Sequence, residues 1–353
     1  MKNRFILSFI LCISFLSFKF PENHSFHSEY NLEWVYFVGH LKSETGVTFG
    51  YELSFFRLAL VDDKMNQKME VFPVHFAISN PKEKKHLTFE TRNRNIGGIA
   101  GYTQKSIFSG EYNFEIIAKN KFKITARPKF KNTNLELTLD AIGEPLIHGD
   151  KGLSIKSRKN PSARSYYYSY PRLNSIGTLT YEGKIYKIIS GDSWMDHEWS
   201  ENKNEEISFS SQNTSWDWIC LMTEEGDDFV SFGFQTDKLQ EKEITGILRT
   251  ALGKIHKFDK EGEIKMSSLP SGLWKSPTSK IKYPLSWKVE FPNGYWIVKP
   301  IFNEQEFNGE KSTGIIYWEG MVEALGEIDG KKKKAKGYLE LKGYEDSSQW
   351  WEF

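Results

Sequence analysis

Residues 32–60 read LEWVYFVGHLKSETGVTFGYELSFFRLAL. Leu32, Trp34, Tyr36 and Val38 alternate with their neighbours, and the turn SETG follows. Val47, Phe49, Tyr51, Leu53 and Phe55 then alternate again. Apolar side chains at every second position, on both sides of a turn ending in Gly46, predict an antiparallel hairpin. The same rhythm returns in MEVFPVHFAIS (69–79), LELTLDAI (135–142), DFVSFGFQ (228–235) and GYWIVKPIF (294–302). Gly, Asn, Asp and Pro turns separate these runs at intervals of about ten residues, the spacing of antiparallel barrels or sandwiches. No long segment repeats its apolar residues at the helical period, so the chain reads as all-β.

Of 353 residues, 26% are charged and 15% are aromatic, with 11 Trp, 16 Tyr and 26 Phe. Rings in that number suit pleated, half-buried strands and large apolar pockets. The formal charge of +1 rests partly on Lys2, Arg4 and Lys19, in a segment with no acid. The remainder is slightly acidic and carries no electrostatic footprint for nucleic acid. The run KKKK at 331–334 follows Asp329–Gly330 and reads as a solvated hairpin loop.

Lys2 and Arg4 precede FILSFILCISFLSF (5–18), which is then closed by Lys19. This reads as a signal peptide or a retained N-terminal anchor over residues 1–20, too short for a comfortable membrane span. The expectation is an exported protein, with membrane association through this segment. Cys220 then remains as the one cysteine of the mature chain, which allows no intrachain disulfide. A polar stretch, SENKNEEISFSSQNTS (200–215), predicts a boundary between domains at 21–203 and 204–353.

Chemistry concentrates in SGDSWMDHEWS (190–200). On a strand, Trp194, Asp196 and Glu198 share one face, while Met195, His197 and Trp199 share the other. Two carboxylates beside apolar rings do not both ionise easily, which makes one of them a candidate general acid. The alternative is a buried polar network that fixes barrel closure. In SWDWIC (215–220), Trp216 and Trp218 share a face and Asp217 takes the other. Tyr167, within RSYYYSYPRL (164–173), can line a pocket or hydrogen-bond a carboxylate, and Arg57 can pair with one of the acids. His24 and His27 stand at H-x-x-H spacing near Glu29 and Glu33, but metal binding needs a further convergent ligand. No metal and no cofactor is expected.

EWVYFVGHL with SFFRL, then IHGDKGLSIK, SYYYSYPRL, GDSWMDHEW, WDWICL, YWEGMVEA and GYLELKGY occur in this order between residues 33 and 344. Together they resemble the family of carotenoid 1,2-hydratases and AttH-like proteins. The resemblance implies two consecutive antiparallel lipocalin-like β-barrels and an apolar ligand, an isoprenoid or a lipid. It also implies cofactor-free addition of water to a carbon–carbon double bond by acid catalysis. Carried over residue by residue, it puts His197, Trp199 and Asp217 in the pocket, with Asp217 as proton donor and His197 orienting water or the acid. Asp196 and Glu198 become supporting residues or an alternative acid. Trp34, Tyr36, Tyr167, Trp194, Trp216 and Trp218 become the substrate-binding rings. Val35 stands where the family usually has a second Trp, and Ser215 where hydratase members have a Tyr. A lipid carrier without catalysis, or a hydrolase of lipid-like esters, is the competing reading.

Overall fold

A computed structural model describes residues 18–62, 67–129, 131–200, 214–235 and 242–345. The expected N-terminal segment (1–20) and the expected boundary (200–215) therefore lie largely outside the described residues. The described residues form two large antiparallel sheets and a two-stranded one (Leu273–Lys275 with Lys282–Pro284), with two single turns of 3-10 helix and no α-helix.

The first sheet has thirteen strands. Its centre runs from Thr48–Asp62 through Leu32–Ser43 and Lys184–Ser200 to Arg164–Tyr181. It curls into a nearly closed barrel, and its two ends meet where the Ser109 hydroxyl donates to the Phe72 carbonyl at 2.7 Å and accepts from Asn93 at 3.0 Å. The second sheet has ten strands and forms a half-barrel built around Ser215–Thr223, Lys331–Lys342 and Ile315–Ile328. Residues 331–334 open a strand instead of forming a loop, and the Lys333 ammonium reaches Asp227 at 2.8 Å.

The predicted hairpin at 32–60 forms, but the register sets its two arms against each other. Tyr36 pairs with Ser54 and Val38 with Glu52, so Trp34, Tyr36 and Val38 share a face with Phe56, Ser54 and Glu52. Val35 and Phe37 join Phe49, Tyr51, Leu53 and Phe55 inside the barrel. Val35 therefore fills core and not pocket. Both faces of the 32–43 strand are covered, because the outer face of the barrel packs on the outer face of the half-barrel. Tyr36, Val38, Tyr167 and Trp194 meet Trp218, Val230, Met321 and Tyr338 there. Each large apolar side chain withdrawn from water in this way contributes about 1.5–3 kcal/mol.

Close approach of the sheets depends on Gly50. A Cβ there would overlap the side chains of Met321 and Tyr338.

Candidate functional site

Between the two sheets lies a cavity of about 100 Å³. Trp34, Phe56, Trp216, Trp218, Phe232 and Phe234 supply its aromatic walls. Four carboxyl groups also reach it: Glu52, Asp196, Glu198 and Glu340. Register explains the meeting. Asp196 lies between Tyr36 and Ser169, and Glu198 between Trp34 and Tyr167, on three adjacent strands of the barrel. On the half-barrel, Glu340 lies between Glu319 and Trp218.

Asp196 is held by three donors: the Tyr167 hydroxyl at 2.7 Å, the Ser169 hydroxyl at 2.5 Å and the Trp194 indole N–H at 2.6 Å. Burial still pushes its carboxyl up to about 7, with those donors opposing the rise. Glu198 is paired with the Lys156 ammonium at 2.7 Å and accepts from Ser165. Lys156 also lies over the rings of Tyr167 and Phe232, at 4.9 and 4.7 Å, a favourable cation–π placement.

Glu52 has a different arrangement. Its Oε1 accepts from Tyr317 at 2.7 Å and from Ser54 at 2.9 Å, while its buried Oε2 has no partner among the described residues. Burial pushes this carboxyl up to about 7, against the two donors. Burial likewise raises Glu340 to about 8, with Glu52, Asp196 and Glu198 adding to the rise and the Trp216 indole opposing it. Glu319, bonded to the Tyr36 hydroxyl at 2.8 Å, is raised well above the usual carboxylate range by burial and by Glu340 and Glu52. Among the described residues that line the cavity, Lys156 is the one ammonium, and it is paired with Glu198. Burial raises the other three acids, Glu52 and Asp196 to about 7 and Glu340 to about 8, so the cavity holds neutral acid near pH 7.

The placement of the sequence candidates follows from strand parity. Trp34, Tyr36, Tyr167, Trp216 and Trp218 line the cavity, and Trp194 donates its indole N–H to Asp196. His197 and Trp199 do not line it. They point into the barrel, where His197 meets Glu33 and Tyr168, and Trp199 stacks on His27 at 3.8 Å. Asp196 and Glu198, read as supporting residues or an alternative acid, are the members of that segment that reach the cavity. Asp217 is also corrected. It sits on the opposite face from Trp216 and Trp218, bound to Lys242 at 2.7 Å and to the Tyr344 hydroxyl at 2.7 Å. Its carboxyl faces Lys242 and Tyr344 and is not among the groups that line the cavity. Arg57 pairs with Glu70 and with none of these acids.

Glu52, Glu340, Tyr317 and Lys156 are the residues that sequence reasoning passed over. The signal for the two glutamates was a single carboxylate inside an aromatic strand, as in FGYELSFF and GYLELKGY.

A family model of AttH-like proteins matches residues 15–344. The chain belongs to the AttH-like family. No curated protein sequence matches it. Among solved structures, an AttH of Nitrosomonas europaea is similar at 24% identity and a TM-score of 0.82, covering 94% of this chain and 98% of that one. Kievitone hydratase from Nectria haematococca is similar at 14% identity and a TM-score of 0.72, covering 92% and 93%. CghA in complex with Sch210972 is similar at 11% identity and a TM-score of 0.59, covering 89% of each chain. At these identities the likenesses show a shared fold. This AttH-like protein thus shares the barrel and half-barrel of its described residues with these structures, one of which is a hydratase.

Proposed function

We propose that the cleft between the sheets is an acid-catalysed hydration site for an apolar small molecule bearing a carbon–carbon double bond, of the isoprenoid class. The observation that carries this reading is Glu52. Its Oε1 is occupied by two donors, its Oε2 is buried without a partner among the described residues, and its carboxyl is shifted to about 7. A carboxylic acid with one uncommitted oxygen beside aromatic faces can protonate an alkene near neutral pH.

The chemistry balances without a cofactor. The alkene takes the proton from Glu52, which is left as a carboxylate. The carbocation gains from the faces of the neighbouring Trp rings. Water adds to the cationic carbon, and the proton it sheds returns to the Glu52 carboxylate, giving a tertiary alcohol and restoring the acid. Tyr317 keeps Oε1 occupied, and His75 supports Tyr317 through its Nδ1 at 2.8 Å.

An engineered apolar cavity of about 150 Å³ holds one benzene. The cleft is smaller, at about 100 Å³. It therefore accepts one end of an isoprenoid, with the rest of the chain lying outside. Export through the N-terminal segment belongs to the same reading, since Lys2, Arg4 and the apolar run after them match a targeting peptide.

The competing reading is a lipid carrier, which the same rings would serve. Incubating the purified protein with isoprenoid alkenes in deuterated, 18O-labelled water separates the two. Hydration places one deuterium on carbon and one 18O in the product. Retention of a lipid with no labelled product from any alkene would leave the carrier.

A further inference from the structure

On the other face of the same strands, a chain of side chains runs through the barrel end. The His24 Nε2 meets the Lys119 carbonyl at 2.8 Å, and its Nδ1 meets the Tyr168 hydroxyl at 2.7 Å. Tyr168 meets the His197 Nδ1 at 3.0 Å, and the His197 Nε2 meets Glu33 Oε1 at 2.8 Å. The same Glu33 oxygen meets the His27 Nδ1 at 2.8 Å. His27 ends the chain beside a second cavity, lined also by Phe18, Asn23, Tyr30, Tyr166 and Trp199.

The protons in this chain can be counted from its two ends. A carbonyl only accepts, so His24 carries a proton on Nε2. Asn23 accepts the Lys19 backbone N–H at its Oδ1, so its amide nitrogen donates to the His27 Nε2 at 3.2 Å. His27 is therefore neutral and donates from Nδ1 to Glu33. Between these ends, Tyr168 has one hydrogen and two ring nitrogens to satisfy. With both rings neutral and Glu33 ionised, one of those two contacts would join two lone pairs. One additional proton removes the conflict.

We infer that Glu33 and His197 jointly hold that proton, forming a buried acid–base pair that is linked through Tyr168 to His24 and through His27 to the second cavity. The proton leaves His197 Nδ1 bonded to the Tyr168 oxygen, and the Tyr168 hydrogen passes to the His24 Nδ1. Burial disfavours charge on His24, whose ring is lowered to about 4, so the proton stays at the Glu33 end. Burial alone would raise Glu33, but hydrogen bonds from His197 and His27 bring it below the usual carboxylate value. Burial lowers His197 as well, against the pull of Glu33. The hydrogen-bond count decides for the proton-loaded pair, because a neutral ring facing an ionised Glu33 leaves Tyr168 one hydrogen short.

Arg57, Lys119 and Glu29 are the other charged groups nearby among the described residues. Arg57 lies 3.9 Å from Glu33 Oε2 but is paired with Glu70. Lys119 approaches Glu144 at 3.5 Å, Glu29 lines the second cavity, and Tyr170 packs edge-on to Tyr168. His27, Glu33 and His197 place three donor atoms within 4.8 Å of one another. The hydrogen-bond count puts protons on the atoms that a metal ion would require.

Long-range 1H–15N spectra of the histidine rings in the intact 15N-labelled protein test this. Across pH 6 to 8, roughly the range in which a free imidazole titrates, His197 is expected to keep a proton on Nδ1. His24 is expected as the Nε2–H tautomer and His27 as the Nδ1–H tautomer. Tyr168→Phe is expected to shift both the His24 and His197 ring signals, although those rings share no hydrogen bond. A bare Nδ1 on His197, or a Tyr168→Phe spectrum in which His24 is unmoved, would overturn the inference. So would added zinc ion that strips the His27 Nδ1 proton and the His197 Nε2 proton.

Discussion

The Tyr317 hydroxyl, on the half-barrel, donates to Oε1 of Glu52, on the barrel, at 2.7 Å. This hydrogen bond is one of those that join the two sheets, and it fixes the acid on which the proposed chemistry depends. Tyr317→Phe removes one of the two donors that hold the Glu52 carboxyl down against burial. The Glu52 value should therefore rise. Activity that requires protonated Glu52 should decline above about pH 7 in the wild type, and the variant's decline should begin at higher pH. A pH–rate profile of kcat reads this directly; an unmoved or acid-shifted limb would contradict it.

Lys156 and Glu198 are both nearly fully buried and lie 2.7 Å apart. Removing one member of a buried pair strands the other charge, at a cost of about 3–5 kcal/mol. Lys156→Met should accordingly lower stability by that order in denaturant unfolding. Adding Glu198→Gln to it should recover most of the loss, because neither charge is then stranded. Equal loss in the single and double variants would show that Lys156 matters for its packing on Tyr167 and Phe232 instead.

Asp217→Asn should leave turnover in the cleft within a few-fold of wild type. The carboxylate lies across the strand from Trp216 and Trp218 and serves Lys242 and Tyr344. Its replacement should register in thermal unfolding. Loss of turnover with unchanged stability would return Asp217 to the chemistry.

Gly50→Ala should weaken the seam between the sheets. The added methyl would overlap Met321 and Tyr338, and overpacking of this kind costs about 1–3 kcal/mol. The loss should be partly recovered by Met321→Ala, which frees the space. Unfolding curves of the two variants and their combination provide the check.

Much of the fold was legible because strand alternation is local. The 32–60 hairpin, the absence of long helices among the described residues and the opposition of Asp217 to Trp216 and Trp218 all follow from a period of two. Which face of a strand meets the cavity is not local. The strand Leu32–Ser43 is apolar on both faces, so nothing in its sequence separates the barrel interior from the seam. The neighbouring DHEW segment has the same ambiguity. Its ionisable residues fall on both faces, and only the packing of the second sheet assigns Asp196 and Glu198 to the cleft. Glu52 and Glu340 were missed because each stands alone in its strand. They become a constellation when residues far apart in sequence are brought together across the seam.

Glu52→Gln tests the central claim most directly. Glutamine keeps the shape and the Tyr317 contact but has no acid proton to deliver. With an isoprenoid alkene that the wild type hydrates in deuterated water, the variant should bind the alkene within a few-fold of wild type and place no deuterium on carbon. Deuterium incorporation at the wild-type rate would contradict the assignment of Glu52 as the proton donor.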